Sequence, residues 1–234
     1  AGIEQMIFVT GRGKSAIEDH FDIAFELEKT MSDRGKSLDV LAPTRLGPGN
    51  CAYVRQQEPL GLGHAIWCAR GIVGDEPFAI LLPDELMHGE PGCLAQMVAA
   101  YDEVGGNLIS VIEVPDEEVS SYGVIAPGAK ISQALTEVTG LVEKPKRGDA
   151  PSNKIISGRY ILQPEVMRTL ENQGKGAGGE IQLTDAMAQS IGKMPFNGYR
   201  FEGVRYDCGD KLGFLCFVTR GNISHIFKQC NLFF

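Results

Sequence analysis

Two strand-end carboxylates and one adjacent acid–base pair are the residues of this chain whose type and position suit chemistry. Asp84 closes the apolar run from Phe78 to Pro83, and Asp207 follows Val204, Arg205 and Tyr206. Just past the carboxyl end of a strand is where open α/β sheets bind ligands. Asp84 there can take a metal ion or ligand hydroxyls, or can simply cap the turn that follows. Two such carboxylates meeting across a sheet edge make an oxygen site suited to Mg²⁺, which usually takes one or two carboxylates plus substrate phosphates. The pair is Glu143-Lys144, between Leu141-Val142 and Pro145. A proline forces the residue before it extended, and a bulge can re-aim both side chains. Glu143 can then accept sugar hydroxyls while Lys144 meets a phosphate; a solvated surface pair is the plainer reading.

A third stretch, Gln56-Gln57-Glu58-Pro59-Leu60-Gly61-Leu62-Gly63-His64-Ala65, sets amides before two glycines and a helix-forming run to Ala69. Glycines at a strand-to-helix junction let a flat ligand approach the backbone, and a glutamine amide both donates to and accepts from a nucleobase edge such as that of uracil or thymine. An ordinary loop fits the same residues. Gly11-Arg12-Gly13-Lys14 has the spacing of neither standard glycine fingerprint and reads as a tight turn.

These residues need a scaffold of strands and helices. Phe78–Leu82 has no polar alternation, which suits a central strand covered on both faces, and Pro83 lacks the N–H to extend it. Further strands are expected at Met6–Val9, Cys51–Arg55, Leu108–Ile112, Tyr122–Ile125, Ile155–Leu162 and up to Asp207. Ser15-Ala16-Ile17-Glu18 has capping-box spacing, and Ile17, Phe21 and Phe25 recur every four residues, which predicts one helix from about Ala16 into the early thirties. Leu94, Met97, Val98 and Tyr101 predict a core-packing helix with Pro91 in its first turn. Short helices are expected after Pro164 and from Ile181, the latter capped by Thr184 or Asp185. Strands alternating with helices imply an α/β fold with a mostly parallel, mixed sheet flanked by helices. Leu215–Phe234 shows no clean periodicity.

The 234 residues are 43% hydrophobic and 22% charged, enough for a sizeable core. A net charge of −8 and a pI near 5.1 argue against nucleic-acid and membrane-surface partners, which reward a positive face. No apolar run approaches a bilayer span and no leader opens the chain, so the expectation is a soluble, cytoplasmic protein. The six cysteines and four histidines are dispersed without metal-ligand or triad spacing, and the cysteines read as buried free thiols.

The fragments, in order, resemble the bacterial UTP–glucose-1-phosphate uridylyltransferases, also called UDP-glucose pyrophosphorylases. The resemblance runs from Ala1 to about Phe214. It is carried by Ala1-Gly2-Ile3 with Val9-Thr10-Gly11, Val54-Arg55-Gln56, Gly61-Leu62-Gly63-His64-Ala65, Leu82-Pro83-Asp84, Tyr122-Gly123-Val124, Val142-Glu143-Lys144-Pro145, Gly158-Arg159-Tyr160, Gly179-Glu180-Ile181-Gln182-Leu183-Thr184-Asp185 and Asp207-Cys208-Gly209. It implies a Rossmann-like nucleotidyltransferase domain over residues 1–214 and an atypical tail over 215–234. It also implies that Gln56 and the Gly61 backbone recognise uracil, that Asp84 and Asp207 hold Mg²⁺, that Gly123 and Glu143 contact glucose hydroxyls, and that Lys144 binds the sugar phosphate. The reaction implied joins UTP and glucose 1-phosphate into UDP-glucose and pyrophosphate, in a protein that commonly forms homo-oligomers. The family's Gly-x-Gly-Thr-Arg loop has no counterpart here, so the expectation is a copy of an active enzyme incomplete at its N-terminus. Two rivals remain: a non-catalytic sugar-nucleotide-binding relative, and a nucleotide-sugar-dependent glycosyltransferase. The latter usually carries an Asp-x-Asp pair, whereas Asp84 is followed by Glu85-Leu86.

Overall fold

The structure, a computed structural model, describes residues 1–146 and 148–220. They group into two units, one of Ile3–Pro59 and one that runs from Leu60 onward and includes Ala1–Gly2.

In the smaller unit, strands β1 (Met6–Thr10) and β2 (Cys51–Arg55) run parallel, with Met6 opposite Cys51 and Thr10 opposite Arg55. Phe8 packs its ring against Phe21 and Tyr53, with centroids 4.7 and 5.5 Å away. The single long helix expected here is two, α1 (Ser15–Phe21) and α2 (Phe25–Asp33). Asp22 breaks them with an extended backbone, and its N–H bonds back to the Asp19 carbonyl at 3.3 Å. The four-residue repeat misled because it does not mark one buried face: Phe21 packs on Phe8, but Phe25 is 68% exposed. No capping box forms either, since the Glu18 carboxylate instead accepts the Thr10 hydroxyl at 3.2 Å. The irregular connection that follows includes a short 3₁₀ turn, Asp39–Thr44.

The larger unit begins with helices α3 (Leu62–Cys68) and α4 (Arg70–Val73), then strands β3 (Phe78–Leu81) and β4 (Glu85–His88). Helix α5 (Cys93–Val104) leads into β5 (Asn107–Glu113), β6 (Gly123–Lys130), β7 (Leu135–Glu143) and β8 (Lys154–Leu162). Helices α6 (Glu165–Glu171) and α7 (Leu183–Ala188), strands β9 (Phe196–Tyr199) and β10 (Val204–Asp207), and helix α8 (Lys211–Arg220) complete it. Six strands form one sheet in the order β3-β8-β5-β9-β7-β6, and β4 pairs with β10 in a separate antiparallel ladder.

Adjacent residues of the central strands feed opposite faces. Ile109, Tyr160 and Leu162 join the core beneath α3, α6 and α7, with Val166, Leu183 and Met187 among its fully buried members. Leu108 and Ile161 join the core under α5, around Met97. Helices on both faces of a mixed sheet make the expected Rossmann-like α/β arrangement. The parallel share is smaller than strand–helix alternation predicts: β5 and β9 run parallel, whereas β3–β8, β5–β8, β6–β7 and β7–β9 are antiparallel. The hairpin β6–β7 and the return through β8 have no helix between their strands, and direct returns are antiparallel. β3 is also not central: within this sheet its partner is β8 alone, and Leu81 is half exposed. An unbroken apolar run reports what covers a strand's faces and says nothing of its lateral neighbours.

Smaller differences follow the same logic. Helix α5 starts at Cys93 after an N-cap at Gly92, so Pro91 precedes it. Residues 215–220 continue α8, and 221–234 lie outside the described residues, Cys230 with them. Of the other five cysteines, all free, Cys93 alone is fully buried and the rest are half-buried. No helix among the described residues is long and apolar enough to cross a membrane.

Candidate active site

Asp84 sits in the turn between β3 and β4, and that turn is tied down from β8. Strand β8 bulges beside β5, and Gly158 in the bulge has φ +64°. Its missing side chain is required: a Cβ there would lie 2.6 Å from the Glu85 Cγ. The Gly158 carbonyl accepts the Leu82 N–H at 3.0 Å. Arg159, next along, donates to the carbonyls of Leu82 at 3.0 Å and Glu85 at 2.6 Å. Burial pulls this guanidinium's pKa down, yet its partners are carbonyls whose dipoles it satisfies.

Glu85 then turns inward and is buried. Both its oxygens engage Arg205 on β10, which lies across the antiparallel ladder where Asp207 faces Glu85. Burial pulls the Arg205 pKa down, but the Glu85 pair more than reverses it and the guanidinium is held charged. The same Arg205 Nη2 that meets Glu85 also donates to Asp207 Oδ2 at 2.9 Å, and the Tyr122 hydroxyl donates to that oxygen at 2.8 Å. The Gly209 N–H donates to Oδ1 at 3.1 Å. Burial pushes the Asp207 pKa up, but the Tyr122 hydroxyl, the Arg205 charge and the Gly209 amide outweigh it and hold the carboxyl below its ordinary range. Tyr122 moves the other way, raised by burial first and then by its bond to Asp207.

The two carboxylates predicted from sequence are therefore brought together. The Cys208 N–H donates to the Asp84 carbonyl at 2.7 Å, which fastens the two turns to each other. A Cβ at Gly209 would lie 3.1 Å from Asp207 Oδ1 and 3.4 Å from Asp84 Oδ2. Two carboxylate oxygens thus face one space that a side chain would fill. This fits a hard divalent cation that completes its shell with water and phosphate oxygens, as Mg²⁺ does. Among the described residues no group of three or more His, Cys, Asp or Glu side chains gathers around one point, so a cation held wholly by protein is not what the donors suit.

Gly123, Glu143 and Thr184 form a second cluster. Gly123 opens β6 opposite Glu143 at the end of β7. The Thr184 hydroxyl on α7 donates to Glu143 Oε2 at 2.7 Å. The expected capping role of Thr184 or Asp185 is thereby corrected: α7 begins after Gln182 with no side-chain cap, because the Thr184 hydroxyl is turned to Glu143. A Cβ on Gly123 would stand 3.2 Å from Glu143 Oε2 and 3.3 Å from Thr184 Oγ1, so glycine leaves this acceptor approachable. These three residues, with Leu82, Tyr122 and Gln182, line a cavity of about 150 Å³. A larger hollow of about 350 Å³ beside α6 lies away from these groups, and its Arg168 is committed to Asp75 and Glu165. The smaller cavity is the one with chemistry around it.

Lys144 is the one non-glycine residue with positive φ among the described residues, at +44°. This corrects the expectation that Pro145 holds it extended. Its N–H donates to the Tyr122 carbonyl at 3.0 Å, and that bond turns the chain sharply out of β7, leaving the ammonium exposed. A left-handed conformation costs a β-carbon-bearing residue roughly 1–2 kcal/mol, and such strain clusters at functional sites.

Gly61, with φ +103°, caps α3 and lets its chain press against another: a Cβ there would be 2.7 Å from Glu180 Cβ. Leu60 accepts the Ile181 N–H at 2.7 Å and Gly63 donates to the Ile181 carbonyl at 2.9 Å. The close approach these glycines permit is to residues 180–182. Gln56 belongs to the smaller unit, half-buried just past β2, with its N–H on the Thr10 carbonyl at 2.8 Å.

Sequence reasoning missed Glu85, Arg159 and Arg205. Tyr122 and Arg159 lay in matched fragments without a role attached, and Thr184 in one was read only as a cap. A buried ion pair between residues 120 positions apart leaves no local spacing to read.

The nucleotidyl transferase family model matches residues 2–213. A UTP–glucose-1-phosphate uridylyltransferase of Komagataeibacter xylinus is 49% identical over 214 residues, 91% of this chain and 75% of the relative. A solved UTP-bound UGPase from Acinetobacter baumannii superposes with a TM-score of 0.83 at 39% identity, covering 100% of this chain and 84% of that one. A UDP-glucose pyrophosphorylase complexed with UDP-glucose gives a TM-score of 0.80 at 37% identity, with 91% and 78% covered.

Proposed function

This chain belongs to the nucleotidyl transferase family, among its UTP–glucose-1-phosphate uridylyltransferases, and from that premise we propose how its residues divide the work. The reaction makes UDP-glucose and pyrophosphate from UTP and glucose 1-phosphate. A phosphate oxygen of glucose 1-phosphate forms a bond to the α-phosphorus of UTP, and the bond from that phosphorus to the β-phosphate oxygen breaks. Pyrophosphate leaves with the electron pair, and no protein nucleophile is required. Catalysis of this kind is positioning plus electrostatic stabilisation.

The observation that carries the assignment of roles is the meeting of Asp84 and Asp207 over Gly209. Asp84 and Asp207 would hold Mg²⁺, which when bound neutralises triphosphate charge and orients the nucleotide. Glu143, aimed by Thr184, accepts hydroxyls of the glucose ring, and the bare Cα of Gly123 leaves room for the sugar. The Lys144 ammonium holds the attacking phosphate as a point charge. Uracil recognition is assigned to the Gln56 amide and the Gly61 backbone, with Gln56→Ala expected to raise KM for UTP. The protein acts on small molecules, in the cytoplasm and as a homo-oligomer on this reading.

The test is pyrophosphate release in the presence of UTP, glucose 1-phosphate and Mg²⁺. Turnover that falls roughly a hundredfold or more in Asp84→Asn and in Asp207→Asn supports the reading. UDP-glucose binding without turnover selects the non-catalytic sugar-nucleotide-binding alternative instead.

A further inference from the structure

We propose that Tyr122 is a positioning residue whose hydroxyl, with the Arg205 guanidinium, holds one oxygen of Asp207 so that the other faces Asp84. The inference rests on the cation-binding role proposed for that carboxylate pair.

A carboxylate offers about four lone-pair directions, two on each oxygen. On Asp207, Oδ2 receives both Tyr122 at 2.8 Å and Arg205 at 2.9 Å, which takes up its capacity. Oδ1 receives the Gly209 N–H at 3.1 Å and faces the space shared with Asp84 Oδ2. The side chain is gripped from behind by one oxygen and presented by the other.

Tyr122 is itself held at three points. Its carbonyl accepts the Lys144 N–H at 3.0 Å, so its main chain is tied to the residue assigned to the sugar phosphate. The Arg205 guanidinium lies 5.0 Å over its ring. Gly123, next in the chain, is paired to Glu143 across the β6–β7 ladder. One residue thus fixes the distance between the carboxylate pair and the sugar-binding groups. Outer partners that orient a metal-binding side chain typically matter 10- to 100-fold in affinity or activity.

Tyr122→Phe keeps the ring, the guanidinium stacking and the carbonyl bond, and removes the one donor. The first readout needs no turnover: free Mn²⁺, used in place of Mg²⁺, is titrated against the protein by electron paramagnetic resonance. The Mn²⁺ dissociation constant is expected to rise about tenfold in Tyr122→Phe with the circular dichroism spectrum unchanged. In steady state, half-saturating Mg²⁺ should rise similarly while KM for glucose 1-phosphate moves by less than about twofold. An unchanged Mn²⁺ affinity in Tyr122→Phe, or an equal rise in both steady-state constants, overturns the proposal. If Asp84→Asn and Asp207→Asn leave Mn²⁺ binding untouched as well, the carboxylate reading itself has failed; if they abolish it while Tyr122→Phe does not alter it, only the role of Tyr122 has.

Discussion

The Glu85 carboxylate closes on the Arg205 guanidinium with both oxygens, at a depth where each side chain is 10% exposed. Removing Glu85 takes away the guanidinium's two-oxygen partner at that depth and leaves it the single Asp207 oxygen, which does not replace the lost pair. Glu85→Ala is expected to destabilise the fold by roughly 3–5 kcal/mol, whereas the double variant Glu85→Met, Arg205→Met should lose much less. Urea unfolding of both, with midpoints compared at constant slope, checks this. Equal losses in the two variants would show that the guanidinium left behind is not the cause.

Lys144 combines backbone strain with a functional charge, and two substitutions separate them. With the charge pair buried once the sugar phosphate is bound, Lys144→Ala should cost roughly 2–5 kcal/mol of transition-state stabilisation, read from kcat/KM. Lys144→Gly should be just as inactive but more stable than Lys144→Ala by about 1 kcal/mol, since glycine adopts φ of +44° without penalty. A near-normal rate in either variant would remove Lys144 from the mechanism.

Gly63 sets two effects against each other. Alanine is favoured over glycine inside a helix by about 1 kcal/mol. Here, though, a Cβ would lie 2.7 Å from the Ile181 carbonyl oxygen and 2.8 Å from Leu170 Cδ2. Overpacking of this kind costs typically 1–3 kcal/mol, and the backbone oxygen cannot swing aside. Gly63→Ala should therefore unfold at a lower temperature than the parent; a higher midpoint would mean that the 180–182 segment yields.

Glu113 gives a pH signature. The Lys154 ammonium, by hydrogen bond first and by charge second, holds its carboxyl below the ordinary glutamate range. The pair's contribution is therefore present above the unfolded pKa of about 4.3 and is lost as the pH falls through the lower folded value. With Glu113 59% exposed the contribution is under about 1 kcal/mol. The stability difference between the parent and Glu113→Gln should be small at pH 7 and vanish toward pH 3. A difference that grows on acidification would give the pair the wrong sign.

Much of the scaffold was legible because its signals are local. The periodicity of Leu94, Met97 and Tyr101 does mark helix α5, and the apolar runs at Leu108–Ile112 and Ile155–Leu162 do mark β5 and β8. Asp84 and Asp207 could be picked out as strand-end carboxylates for the same reason. What escaped depended on neighbours distant in the chain. That β3 lies at the edge of its sheet follows from pairing, and the break at Asp22 from where Phe8 places Phe21. Thr184 reads as a helix cap until Glu143 arrives from β7 to claim its hydroxyl. Lys144 reads as extended until the Tyr122 carbonyl takes its N–H.

The β4–β10 ladder is only four residue pairs long and stands outside the six-stranded sheet. A two-stranded ribbon is marginal on its own, and such segments open far more often than the core they border. Fraying of β10 would carry Asp207 away from Asp84 while Leu108, Ile109 and Leu162 stay sealed. Backbone amides of residues 204–207 should then exchange with deuterated solvent well ahead of those in β5 and β8, and a bound divalent ion should slow them selectively. The chemistry would thus have a melting point of its own, below that of the fold that carries it.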